Sequence, residues 1–116
     1  MANIVVHGLA NCDTVRKARR WLDARGLDYR FCDFRTDGVT QEQVAAWIDD
    51  AGLDTILNRR GTTWRTLSDE DKARADGHEA VSLLVQHPSM IKRPVVEHGD
   101  AVLVGFKEET WDAHFS

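Results

Sequence analysis

Apolar positions recur with two different periods along this chain, and the places where the period changes mark its elements. Ile4-Val5-Val6 is a β-branched run that stops at Gly8, which predicts a short buried strand. Val15, Ala18 and Leu22 then fall at helical spacing with Trp21 beside them, while Arg16, Lys17, Arg19 and Arg20 take the other face. Gly26 suits the left-handed position just past that helix. Alternation returns over 27–34, with Leu27, Tyr29 and Phe31 set against Arg30, Cys32 and Phe34, as in a second strand. Strand, helix and strand in succession form a βαβ unit, so these two strands should be parallel.

Asp37-Gly38 interrupts the pattern. Thr40 with Gln43 is a capping box, and Val44, Trp47, Ile48 and Ala51 are the apolar stripe of the helix it starts, which Gly52 ends. Residues 54–57 read as one more turn, whereas Asn58 to Arg65 shows no period and predicts a loop rich in hydrogen-bond donors. Ser68 with Asp71 begins another helix running to Gly77, and 78–86 is a further one with Ala80, Leu83 and Leu84 inward. Pro94-Val95-Val96 and 101–104 flank His98-Gly99-Asp100, a hairpin signal, and 108–115 closes the chain as a helix. The order βαβ, helices, ββα implies an α/β fold with one small mixed sheet, the middle helices being an insertion or a cover.

A length of 116 residues fits one domain with its own core. The formal charge of -4 gives no electrostatic case for nucleic acid as a direct partner, and no apolar run is long enough for a membrane span. Ile4 to Val6 is far shorter than the apolar region of a secretory signal, so cytoplasmic residence is expected. In such a compartment Cys12 and Cys32 should remain thiols. The five histidines are scattered without ligand spacing, so no metal site is expected.

The chemistry concentrates at Cys12. It stands in the turn-forming stretch His7-Gly8-Leu9-Ala10-Asn11-Cys12-Asp13, after the first strand and where a helix begins. A thiol there faces unpaired backbone N–H groups and the positive end of the helix macrodipole, both of which favour thiolate. Basic residues follow within two turns, and those nearest Cys12 would add attraction for it and for approaching anions. The competing reading is a small inert cysteine, with Asn11 or Asp13 capping the helix. Trp47, Trp64 and Trp111 read as core. Cys32, on strand two, acts as a resolving thiol only if its Cα lies within about 7 Å of that of Cys12.

Four ordered stretches carry a resemblance: Gly8 to Val15, Leu57 to Arg65, Pro88-Ser89-Met90-Ile91-Lys92-Arg93-Pro94, and Leu103-Val104-Gly105-Phe106. Together they resemble the ArsC/Spx superfamily, in particular the YffB branch of arsenate-reductase-related proteins, over essentially the whole chain. The resemblance implies a thioredoxin/glutaredoxin-like four-stranded mixed sheet with an inserted helical subdomain. Residues 1–36 and 87–116 would form the sheet and its flanking helices and 37–86 the insertion, within one compact domain. It also implies a cis peptide at Arg93-Pro94 beside the active cysteine.

For activity, the resemblance implies a glutathione-dependent thiol-disulfide reductase with Cys12 as the single nucleophile and glutathione as co-substrate. Arg60 and Arg93 would attract glutathione carboxylates, and Pro94, Asn11 and Thr14 complete the candidate binding set. The substrate would be a small-molecule or protein thiol or disulfide. Two other outcomes belong to the same superfamily. Spx-type regulators bind RNA polymerase and often carry a second cysteine three positions after the first, where this chain has Val15. Arsenate reductases hold the oxyanion with three arginines, of which Arg93 matches one; Asn58 replaces another, with Arg60 two residues on, and none stands near Gly105-Phe106. An amide or a glycine does not replace a bidentate guanidinium, which argues against arsenate.

Overall fold

The computed structural model describes residues 3–115. Its elements run β1 (Ile4–Gly8), α1 (Asp13–Ala24), β2 (Arg30–Asp33), α2 (Gln41–Ala51), α3 (Leu53–Ile56), α4 (Thr62–Thr66), α5 (Asp69–Arg74) and α6 (Ala80–Gln86). A 3-10 turn at Pro88–Met90 leads to β3 (Val95–His98), β4 (Ala101–Val104) and α7 (Glu108–Phe115). Backbone contacts divide the chain into two compact units at Asp33/Phe34 and Lys92/Arg93, the second being Phe34–Lys92.

The first unit holds the sheet, in strand order β2-β1-β3-β4. β1 pairs parallel with β2, Val6 opposite Phe31 and His7 opposite Cys32, and antiparallel with β3, which pairs antiparallel with β4. This is the thioredoxin/glutaredoxin-like arrangement, and the expected parallel βαβ start and β-hairpin are both present. One face of the sheet supplies Ile4, Val6 and Val96 to a core shared with Ala18 and Leu22 of α1 and Trp111 of α7. Around Trp111, the rings of Trp21 and Phe106 approach edge-on, with centroids 5.5 and 4.8 Å away. Burying a side chain such as Leu22 contributes about 1.5–3 kcal/mol, whereas a like-charged i,i+4 pair such as Arg16 and Arg20 costs only about 0.2–0.5 kcal/mol. The inner face of α1 therefore fixes the helix whatever its outer face carries.

The opposite face of the sheet is different in kind. It presents Cys32, His7 and Glu97, the last two joined by a 2.6 Å contact from His7 Nε2 to Glu97 Oε1. His7 is only 2% exposed and is the one fully buried polar residue among the described residues.

β2 is shorter than the alternation predicts. Gly26 takes φ 67°, the N–H of Leu27 donates back to Leu22 O at 3.0 Å, and β1 offers partners only to Arg30–Asp33. Leu27 and Tyr29 still pack against the core from the loop. Phe34 leaves the sheet altogether and lies in the second unit, its ring 6.3 Å from that of Trp47.

In that second unit the capping box is formed as expected. The Thr40 hydroxyl accepts from Gln43 N–H at 3.1 Å, and Gln43 Oε1 accepts from Thr40 N–H at 2.9 Å. Buried Val44 and Trp47 on α2, Ile56 on α3 and Leu83 and Leu84 on α6 form its apolar interior. Two expectations fail here. The stretch read as a loop contains the helical turn α4, which has no buried residue and hence no apolar period to reveal it. Trp64, read as core, is half-buried, with Arg59 and Lys72 lying 5.6 and 6.0 Å from its ring centroid.

Candidate functional site

Cys12 itself is the N-cap of α1, with extended backbone at φ −89° and ψ 127°, so neither Asn11 nor Asp13 has that role. The turn before it is closed by Cys12 N–H donating to Leu9 O at 3.1 Å, and the first helical bond runs from Arg16 N–H to Cys12 O at 2.9 Å. The loop is pinned to the end of β2, where Asp33 Oδ2 accepts from Ala10 N–H at 3.0 Å. Gly8 lets α1 start against the strand end: a Cβ there would lie 2.7 Å from Val15 Cγ2.

This placement lets two N–H groups of the first turn, those of Thr14 and Val15, act on the Cys12 sulfur. The neutral thiol makes no cap hydrogen bond of ordinary geometry, so the benefit falls on the thiolate. Desolvation from partial burial raises the Cys12 pKa and is the largest single influence. It is outweighed by the Val15 N–H, a hydrogen bond from the Arg93 side chain, the Thr14 N–H and the charge of Arg93, and the pKa is lowered overall. Cys12 is a free thiol and half-buried.

Arg93 acts on the Cys12 thiol from the segment just before β3. The Arg93-Pro94 peptide is cis, Pro94 is buried, and its carbonyl accepts from Gly105 N–H at 2.8 Å. Cys12, Thr14 and Arg93 therefore come together in the first unit, which also holds Pro94; Thr14 contributes through its backbone while its side chain is exposed. Asn11 lies exposed in the preceding turn. Asp13 is also exposed and its carboxylate accepts from Arg16 at 2.9 Å.

Arg60 belongs to the second unit. It is exposed, its N–H donates to Asn58 Oδ1 at 3.0 Å, and together with Arg59 and Lys92 it borders a cleft of about 280 Å³. Arg59 is paired there with Asp54 at 2.9 Å. Val15 is the contributor that side-chain reasoning missed. Its position three residues after the N-cap is the signal, since that N–H faces the cap whatever side chain it carries.

Cys32 carries the Arg30 guanidinium 3.7 Å from its sulfur. Its in-strand neighbour Phe31 packs on the core beneath α1, so Cys32 faces the other side of the sheet.

Comparison with known proteins shows the family. The model described as the ArsC family matches residues 7–114. A solved YffB protein is 42% identical with a TM-score of 0.94, over 98% of this chain and all of that one. The structure of an arsenate reductase (ArsC) related protein from Brucella melitensis is 37% identical with a TM-score of 0.75, covering 98% of this chain and 95% of its own. More distantly, the global transcriptional regulator Spx 2 of Bacillus cereus is 25% identical over 91% of this chain and 82% of the regulator.

Proposed function

The chain belongs to the ArsC family, and from that premise we propose that it is a glutathione-dependent thiol-disulfide reductase with Cys12 as its single nucleophile. The observation that carries this reading is the Cys12 sulfur at the N-cap of α1 with its pKa lowered by the Val15 and Thr14 N–H groups and by Arg93, which precedes the cis Pro94. A thiolate populated at lower pH is the form that attacks a disulfide. Attack on R–S–S–R′ breaks that bond, forms Cys12–S–S–R and releases the R′ thiolate. Glutathione thiolate then frees Cys12 and leaves R–S–S–glutathione. A second pass, with a second glutathione, gives RSH and oxidised glutathione. Two glutathiones thus supply two electrons and two protons. Arg93 is proposed to stabilise sulfur charge, and Asn11, Thr14 and Pro94 complete the proposed glutathione-binding set in the first unit.

Incubation with oxidised glutathione followed by intact mass should show one glutathione adduct, lost in Cys12→Ser. Glutathione-coupled turnover of hydroxyethyl disulfide should depend on the same residue. No adduct, or alkylation of Cys12 at pH 6 no faster than that of a free thiol, would sink the assignment.

The likeness to Spx 2 favours one second reading, a binding module that contacts RNA polymerase without redox chemistry. Val15 occupies the place of a second cysteine, so a dithiol switch in this loop has no partner sulfur. Co-purification of polymerase that is unaffected by Cys12→Ser, together with the absence of a glutathione adduct, would favour this alternative. Arsenate reduction is the third reading, and with a single matched arginine beside Cys12 we expect little or no arsenate turnover.

A further inference from the structure

The outer face of α1 is strongly cationic on a chain whose formal charge is -4. Arg16, Arg19, Arg20, Asp23 and Tyr29 line an open cleft of about 220 Å³ along it, and Lys17 stands exposed on the same helix. The cleft is partly preset. Arg19 is immobilised, its Nε donating to Tyr29 Oη at 3.1 Å and its guanidinium lying 4.2 Å from the Phe31 ring centroid. Arg16 is held by Asp13. Arg20 is exposed and has no carboxylate on it among the described residues. The inner face alone anchors the helix, so the fold gains nothing from setting Arg16 and Arg20 one turn apart.

From this we infer that the α1 stripe is a docking track for acidic protein disulfides. It would guide a substrate cysteine to Cys12 by pairing carboxylates three or four positions away with Arg16, Arg19 and Arg20. The inference rests on the thiol chemistry proposed for Cys12. The length of the track selects the ligand. Arg16 and Arg20 leave the helix about 6 and 12 Å along its axis from Cys12, at a rise of about 1.5 Å per residue. An extended chain covers about 3.3–3.6 Å per residue, so three or four residues span the stripe. Glutathione has one residue on either side of its cysteine and reaches only its near end. Arginines suit carboxylates through paired N–H donors, and the local positive field speeds the encounter.

The probe is a set of eight-residue peptides, each with one cysteine disulfide-bonded to 2-mercaptoethanol and with two Glu, two Lys or two Ser three and four positions from it. Single-turnover formation of the Cys12 mixed disulfide is followed by mass spectrometry on reduced protein without glutathione. The Glu peptide should react about tenfold faster than the Lys peptide at low ionic strength, with the gap closing toward equality at high salt. Arg20→Glu should reverse the preference while leaving hydroxyethyl disulfide, which is neutral, reacting as before. Equal rates for the three peptides, or a preference untouched by Arg20→Glu, overturns the track. Binding of the reduced Glu peptide to Cys12→Ser protein, followed by salt-sensitive NMR shifts on α1, tests the surface apart from the chemistry. If hydroxyethyl disulfide fails to react while those shifts appear, the thiol reading falls and the acidic-partner surface stands. If the shifts are absent as well, the track falls too.

Discussion

Arg93, two residues before β3, lowers the pKa of the Cys12 thiol at the head of α1 through its side-chain donors and its charge. Burial of that sulfur alone would have made it a poorer nucleophile, so the contact with Arg93 and the N–H groups of Thr14 and Val15 decides its reactivity.

The pH dependence of alkylation follows directly. Iodoacetamide should label Cys12 with a midpoint below that of an unstructured thiol, and Arg93→Gln should move the midpoint upward. Below both midpoints, each unit of upward movement lowers the thiolate fraction about tenfold, so the variant loses most at acidic and neutral pH. Arg93→Lys should recover part of the effect, because it keeps the charge without the planar donor pair. A profile unchanged in Arg93→Gln would leave the helix terminus alone as the activating feature.

The same shift links reactivity to stability. The thiol pKa is lower in the folded chain than in the unfolded one, so between those two values the unfolded state holds a proton that the native state has released. Stability from the thiolate is therefore complete above the unfolded value of about 8.5 and is lost as the pH falls through the folded value. Urea unfolding of the wild type, referenced to Cys12→Ser at each pH, should show a difference that grows from acidic pH toward about pH 8.5 and then levels. A difference that shrinks as the pH rises would mean that the fold raises this pKa.

Gly8 sets the distance between strand and helix on which the site depends. A methyl group there would meet Val15 Cγ2 at 2.7 Å, and Val15 carries one of the two N–H groups facing the sulfur. Gly8→Ala should cost about 1–3 kcal/mol in urea unfolding, as overpacking does, and should also slow alkylation of Cys12. Gly26→Ala is the contrast. Its φ of 67° is unfavourable for alanine, but nothing lies within 4 Å of the added carbon, so stability should fall while Cys12 reactivity is retained.

How much of this was legible beforehand divides along physical lines. The βαβ start, the hairpin, the capping box at Thr40 and the position of Cys12 at the head of a helix all follow from local periodicity and turn chemistry. The short helix α4 was not legible, because a turn with no buried side chain leaves no period in the sequence. Nor was the backbone role of Thr14 and Val15, since N–H groups are common to almost every residue and only helix phase says which ones face the cap. Arg93 came to light through the matched Pro94 context, 81 positions from Cys12 by the numbering, a separation that no local rule spans.

Cys32 supplies the remaining test, because a chain with two thiols invites a disulfide between them. Its neighbour Phe31 packs on the core under α1, and side chains alternate along a strand, so Cys32 faces away from the helix that Cys12 heads. Its own surroundings are the Arg30 guanidinium and the β1 register position of His7. A disulfide needs Cα atoms within about 7 Å and Cβ atoms that converge, and opposed faces do not provide that convergence. Mild oxidation with diamide should therefore give no Cys12–Cys32 bridge on peptide mapping, while added glutathione should be captured at Cys12. Cys32→Ser should leave the alkylation rate of Cys12 within about twofold, as expected for a surface change away from the site. A mapped intramolecular bridge would instead make Cys32 the resolving thiol and remove the need for glutathione at that step.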